Sequence, residues 1–203
     1  MMIAPYPHYP GHTVVRQVAP TEQKYVIASL VLAFHNDPAS RWLYPDPHQY
    51  LTYFPKFLKA FGGKAFDHNT VHCCNNYAGA ALWYPPDIEP DIEPVVQLVQ
   101  KSVLQAKQSD VFSVFEQMDR YHPKYPHWYL AFIGVEPTQQ SKGHGSALMR
   151  SVLKTCDRDR VPAYLESSKP TNLSFYQRHG FEVLGTIQVG TSPPIFPMLR
   201  RPL

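Results

Sequence analysis

Apolar positions along the 203-residue chain change period several times, and each change predicts an element. Ile27, Leu30, Val31 and Phe34 recur at i, i+3, i+4 and i+7, the buried face of a helix that Pro20-Thr21 opens with Thr21 as N-cap. A second amphipathic helix over 47–61 turns Leu51, Phe54, Phe57, Leu58 and Phe61 inward and is stopped by Gly62-Gly63. Short runs over 13–18, 71–75 and 78–84 read as strands, the last two joined by an Asn75-Asn76 turn. Helices follow over 95–107 and 111–120, with Ser109-Asp110 able to cap the second. From His127 the pattern becomes an unbroken apolar run halted at Pro137, as in a strand buried on both faces. After Gly145, Ala147, Leu148, Val152 and Leu153 return to helical spacing. A strand over 163–166, a short helix opened by Lys169-Pro170-Thr171-Asn172 and ended by Gly180, and strands over 181–189 and 195–199 complete a mixed α/β layer fold.

No boundary divides this pattern, so one domain over 13–203 is expected, preceded by a flexible proline-rich arm over 1–12 whose Tyr-Pro and His-Pro pairs block helix and sheet ladders. The duplicated Asp87-Ile88-Glu89-Pro90 and Asp91-Ile92-Glu93-Pro94 is too short for a repeat fold and reads as a solvated acidic linker. Between the first two helices, Trp42 and Tyr44 either anchor the core or line a pocket.

Composition removes several classes. Net charge is only +3 with Lys and Arg scattered, so no nucleic-acid stripe is expected. No apolar stretch of ~18 residues predicts a membrane span. Cys73, Cys74 and Cys156 cannot all pair, and the start of the chain lacks a secretory pattern, so a reduced, cytoplasmic protein is expected. No metal site is expected, because the three cysteines offer no CxxC spacing.

The chemistry is carried between strand and helix. Two glycines in Gly143-His144-Gly145 admit backbone amides to a ligand, and the helix start that follows offers unpaired donors and a positive dipole end. Together these suit a phosphate, although a plain glycine-containing turn would look the same. No Lys follows Gly145 as a P-loop requires. A Rossmann turn fails too, because Leu148 stands at its third glycine and Glu166 lies inside the next strand.

What fits is Val135-x-Pro137-x-x-Gln140-x-x-Gly143-x-Gly145, followed by Tyr164-Leu165-Glu166-Ser167-Ser168 and then Asn172-x-x-x-Tyr176-x-x-x-Gly180-Phe181. These motifs resemble the acyl-CoA loop, following strand and catalytic helix of the GNAT superfamily of N-acetyltransferases. Within that superfamily, residues 126–183 are similar to puromycin N-acetyltransferase and related drug and small-amine acetyltransferases.

The resemblance implies a single-domain GNAT-like α/β fold, its mixed sheet splayed between the fourth and fifth strands and flanked by helices. It implies acetyl-CoA as cosubstrate, bound along Ile133, Gly134 and Val135, at Gln140, Ser141, Lys142, Gly143, His144, Gly145 and Ser146, and by Asn172 and Tyr176. Ser141 and His144 replace a common glycine and a common aliphatic residue, and an unfavourable backbone angle at Ser141 would weaken binding. Gly134 either removes bulk at the splay or marks a bulge. Asn172 and Tyr176 share one helix face. The resemblance makes Tyr176 the acid that protonates the thiolate and Glu166 the first candidate for the base, with Glu116, Asp119 and His127 behind it. The implied reaction is direct transfer in a ternary complex to the primary amine of a small molecule, by a monomer or homodimer. The alternatives are a protein or peptide acetyltransferase and a non-catalytic CoA-binding sensor.

Overall fold

The computed structural model describes residues 13–203, so the expected arm over 1–12 lies outside the described residues. One sheet organises them, with strands β1 (Val15–Gln17), β2 (Val71–Cys74), β3 (Gly79–Tyr84), β4 (Trp128–Val135), β5 (Ala163–Ser167), β6 (Glu182–Val183) and β7 (Phe196–Arg200). Their order is β1-β2-β3-β4-β5-β7-β6. Every adjacent pair is antiparallel except β4 and β5. The helices are α1 (Gln23–Ala33), α2 (Pro38–Leu43), α3 (Pro47–Gly62), α4 (Lys64–Asp67), α5 (Ile92–Ser102), α6 (Gln105–Tyr121), α7 (His144–Asp159) and α8 (Leu173–Gln177).

β3 is buried along its whole length, and alternation sends its side chains into two cores. Ala80, Leu82 and Tyr84 join α1, α3 and α5, while Ala81 and Trp83 join α7 and the α8 region. The sheet is thus covered on both faces, and each fully buried Leu or Phe in these layers contributes about 1.5–3 kcal/mol.

The central feature is where β4 leaves β5. Their parallel pairing covers only Trp128↔Ala163, Tyr129↔Tyr164 and Leu130↔Leu165. Beyond Leu130 the two strands separate, at the predicted splay. The cause lies on the other edge of β4. Leu82 pairs with Phe132 and Trp83 with Leu130, which leaves Ala131 as an inserted bulge residue. A bulge bends its strand and raises local twist, so β4 turns away from β5 from that point.

Several expectations need correction. Gly134 is not the bulge: a Cβ there would lie 2.6 Å from Ala33 Cβ, so this glycine lets α1 pack against β4. In α3, Leu51 is exposed and Tyr50 is buried in its place, with its hydroxyl donating to the Val31 carbonyl at 2.7 Å. α3 does end at Gly62-Gly63, but Gly63 keeps right-handed helical backbone, so the short α4 follows directly and the left-handed Asn69 (φ +56°) comes after its end. The first helix starts with a 3-10 turn in which the Glu22 carboxylate, and not Thr21, accepts from the Ala19 N–H. The break between α5 and α6 falls at Val103-Leu104, so Ser109 and Asp110 lie inside α6, and α5 begins within the acidic repeat.

A short helix, α2, stands where a loop was expected between the first two helices. Its signal is local. Asp37-Pro38-Ala39-Ser40 places an Asp at the N-cap, a Pro at the first helical position and the capped Ser40 N–H 2.9 Å from Asp37 Oδ1. Asp46-Pro47 opens α3 in the same way.

Candidate active site

The splay opens into a cavity of about 660 Å³. One arm runs between β4 and the start of α7, past Ile133, Gly134, Val135, Gly143, Gly145 and Ser146. The other arm is apolar and runs under α2, α3 and α6, past Trp42, Phe54, Phe57, Phe115, Met118 and Ile195. Glu166, Tyr176 and Asp37 also face the cavity.

The first arm brings together nearly all the residues expected to hold a cofactor. Gln140, Ser141, His144 and Asn172 also line it. Gly143 sits at the N-cap of α7 in the left-handed region (φ +83°), and a Cβ there would meet nothing within 4 Å. It is therefore glycine for its backbone angle and not for space. Ser141 shares that region at φ +61°, at about 1 kcal/mol for a residue with a Cβ. The amides of the first turn of α7 have no intrahelical acceptor and point out of the helix end. The 16-residue helix behind them adds its dipole. Gln140 Nε2 donates to the Val135 carbonyl at 3.2 Å, which ties the loop to the strand end. This cradle fits a pyrophosphate.

Two loop residues differ from expectation in what their side chains do. Lys142 does not line the cavity: its ammonium donates to the Thr138 carbonyl and to Gln139 Oε1, both at 3.0 Å. His144 turns its ring inward, with Nδ1 3.0 Å from Thr13 Oγ1. Burial lowers its pKa, helped by Lys142, so it is a neutral packing residue at pH 7.

Tyr176 is buried on α8, held there by packing against Phe181 and Phe175. Burial pushes its phenol well above the usual range and the negative Asp37 adds to this, so the hydroxyl stays protonated. Glu166 comes from β5 just after the pairing with β4 ends. Its side chain is 5% exposed and its Oε1 has no hydrogen-bond partner. A buried carboxylate oxygen without a partner is expensive. Burial raises the Tyr129 and Tyr164 phenols above their usual range, and the charge of Glu166 reinforces the shift.

The remaining base candidates separate clearly. Glu116 pairs with Arg120 and Asp119 with Lys124 on the exposed side of α6, away from the cavity. His127 is buried but lies behind the cavity wall. Of the two aromatic candidates, Trp42 faces the cavity, whereas Tyr44 is a core residue whose hydroxyl is 3.0 Å from Ser102 Oγ.

Sequence reasoning missed Asp37. Besides capping α2, it accepts from the Ser168 hydroxyl through Oδ2 at 2.5 Å, and Lys169 Nζ donates to Asn36 Oδ1 at 3.2 Å. These two bonds tie the start of α2 to the segment after β5 beside the opening. It also missed Phe115 and Met118, which no local pattern links to a site. Among the described residues, no cluster of His, Cys, Asp or Glu could hold a metal. No helix there is long and apolar enough to cross a membrane, and all three cysteines are buried free thiols.

Comparison with known proteins agrees with this geometry. Residues 109–181, which span most of α6 and the whole of β4, α7, β5 and α8, match the model of the acetyltransferase (GNAT) family. An uncharacterized N-acetyltransferase of Schizosaccharomyces pombe is 33% identical over 78 residues, 37% of this chain and 32% of that protein. The match thus spans about a third of that relative's length. A crystal structure of a histone acetyltransferase HPA2 and related acetyltransferase from Corynebacterium glutamicum superposes with a TM-score of 0.69 at 22% identity, covering 94% of this chain and 97% of that one. The polyamine N-acetyltransferase of Drosophila melanogaster superposes with a TM-score of 0.65 at 12% identity, covering 94% and 100%. The chain has the GNAT fold.

Proposed function

We propose that this protein is an acetyl-CoA-dependent N-acetyltransferase that moves an acetyl group directly to the primary amine of a small molecule. The observation that carries this reading is the joint placement of four features on one cavity. They are the splayed β4 edge, the free amide end of α7, the buried Tyr176 and the buried Glu166, whose Oε1 has no hydrogen-bond partner. Acetyl-CoA, when bound, supplies an activated acyl group. The Gln140–Ser146 loop holds its pyrophosphate through backbone amides, and the β4 edge beyond Leu130 receives its pantetheine arm. An N–H at Ile133 or Val135, unclaimed by β5, polarises the acyl oxygen. Glu166 draws a proton from the incoming ammonium, and Tyr176 donates one to the departing sulfur. Transfer needs no covalent enzyme intermediate, since the three cysteines are buried and their thiols are shifted upward by burial.

The second arm of the cavity supports a small acceptor with an apolar body over a peptide. Its walls are aromatic and aliphatic, and the cavity is also lined by two carboxylates, Asp37 and Glu166, that suit an amine. Drug-like amines, suggested by the similarity of residues 126–183 to puromycin N-acetyltransferase, belong in the first panel. Arylalkylamines, polyamines and a lysine peptide complete it. The free thiols suit a reducing cytoplasm.

The test is thiol release from acetyl-CoA over that panel, with Tyr176→Phe run in parallel. Turnover of a small amine that falls at least about tenfold in the variant, with the KM for acetyl-CoA unchanged, supports the reading. Turnover of the peptide alone moves the acceptor to proteins. Acetyl-CoA binding with no turnover of any amine identifies a sensor.

A further inference from the structure

Behind Glu166, on the side away from the cavity, two histidines form a short ladder that the reaction above does not use. His127 Nδ1 lies 2.8 Å from the Tyr125 carbonyl, which can only accept, so Nδ1 carries a proton. His127 is buried, and burial lowers its pKa, so the ring is neutral at pH 7 and Nε2 holds a lone pair. That nitrogen lies 3.0 Å from His122 Nε2. His122 must therefore donate from Nε2, and in the neutral ring the lone pair then lies on Nδ1. This nitrogen faces Glu166 Oε1, the oxygen without a partner, at 3.9 Å.

The ladder is closely packed. His122 meets the rings of Tyr129 on β4 and Tyr164 on β5 edge-on, with centroids 4.8 and 4.9 Å away. Besides Glu166 and His127, the titratable groups around it are those two phenols, with Tyr121 adjoining on α6. Lys124 and Asp119 nearby satisfy each other at the surface. No other cation competes for Oε1 among the described residues.

We propose that His122 is the proton store behind Glu166, and that His127 fixes the tautomer in which His122 can receive a proton. This rests on the acetyl-transfer reading. One N–H bond of the substrate ammonium breaks and an O–H bond forms on Glu166. That O–H then breaks as an N–H forms on His122 Nδ1, which regenerates the carboxylate and leaves an imidazolium beside it. The freed amine lone pair attacks the acyl carbon. The imidazolium later releases its proton to solvent, which the partly exposed His122 side chain reaches. The second nitrogen proton replaces the one Tyr176 gives to sulfur, so the turnover releases one proton. This transfer requires the 3.9 Å separation to close to hydrogen-bond distance once Glu166 becomes a donor. His122 does not line the cavity, so it acts through Glu166 and is a positioning residue.

The test compares phenethylamine with its β,β-difluoro analogue, a much weaker base of nearly the same shape. His122→Gln keeps an amide N–H for His127 but cannot store a proton. It is expected to lower kcat on phenethylamine at least about tenfold and on the difluoro amine less than about threefold, with the KM for acetyl-CoA unchanged. His127→Leu is expected to show the same pattern, more weakly. Nitrogen-15 shifts of the imidazoles give an activity-independent reading: Nδ1–H on His127 and Nε2–H on His122, the latter becoming a tautomer mixture in His127→Leu. Equal losses on both amines, no loss, or the opposite tautomers overturn the relay while leaving acetyl transfer standing. A wild-type protein that acetylates no amine in the panel overturns acetyl transfer, and the relay with it.

Discussion

At the scale of single residues, the site depends on backbone angles and buried protons. Ser141 accepts a left-handed conformation that a glycine would adopt freely, in the loop proposed to present its amides to a pyrophosphate. Ser141→Gly is expected to leave acetyl-CoA affinity unchanged or raise it up to about threefold. Ser141→Val, β-branched and costly at φ +61°, is expected to weaken it about tenfold. Calorimetric titration with CoA checks both, and equal affinities would mean that the loop relaxes on binding. Tyr176 illustrates the complementary effect. Burial and the nearby Asp37 hold its proton in place, so the protonated, donating form persists through neutral and moderately basic pH. An alkaline fall in rate below pH ~9 must then come from another group.

At the scale of elements, the half of the cavity built by β4, α7 and α8 was legible because its signals are contiguous. The β4 run, the glycine loop, the α7 spacing and the Asn172–Tyr176 face all lie within 50 residues, and each constrains the backbone locally. The apolar arm of the cavity was not legible. It is assembled from α2, α3 and α6, whose apolar residues carry no mark separating pocket wall from core. Leu51 was expected inside and Tyr50 took that place, because the phenol can bury its ring and still satisfy its hydroxyl on Val31. Asp37 was missed for the opposite reason: its capping signature is local, but its contact with Ser168 spans 131 positions. Gly134 was read as a feature of the splay, whereas its space is filled by α1. Gly134→Val would press a side chain against Ala33, Leu30 and Phe34, forcing α1 off the sheet beside the opening. A loss of ~1–3 kcal/mol is expected, a fall in Tm of roughly 2–10 °C by calorimetry, together with weaker acetyl-CoA binding. Unchanged Tm would show that α1 is free to shift.

At the scale of the whole molecule, two ion pairs hold opposite flanks of the sheet, and both are sensitive to acid. Arg16 on the β1 edge binds Glu22 at 2.6 Å, and Tyr77 also donates to that carboxylate. The Arg16 hydrogen bond is the main cause that holds the Glu22 carboxyl down at about 2. On the far side, the buried Arg200 of β7 binds Asp157 of α7 at 2.7 Å and lowers its pKa. A folded-state pKa below the unfolded one gives stability that is fully present above the unfolded value, near 4.5 for Glu22. That stability is lost as pH falls towards about 2. Glu22→Gln is therefore expected to lower Tm by roughly 2–6 °C at pH 7, corresponding to ~1–2 kcal/mol after screening of a partly exposed pair. The difference from wild type should shrink as pH falls below about 4.5, be small near pH 2, where the wild-type carboxylate is half protonated, and vanish only below that. A gap that stays constant with pH would assign the loss to packing around Tyr77. Neither pair touches β4 or the α7 loop, so the same variant should retain its KM for acetyl-CoA at pH 7. That independence separates the acid sensitivity of the scaffold from the proton transfer proposed at Glu166.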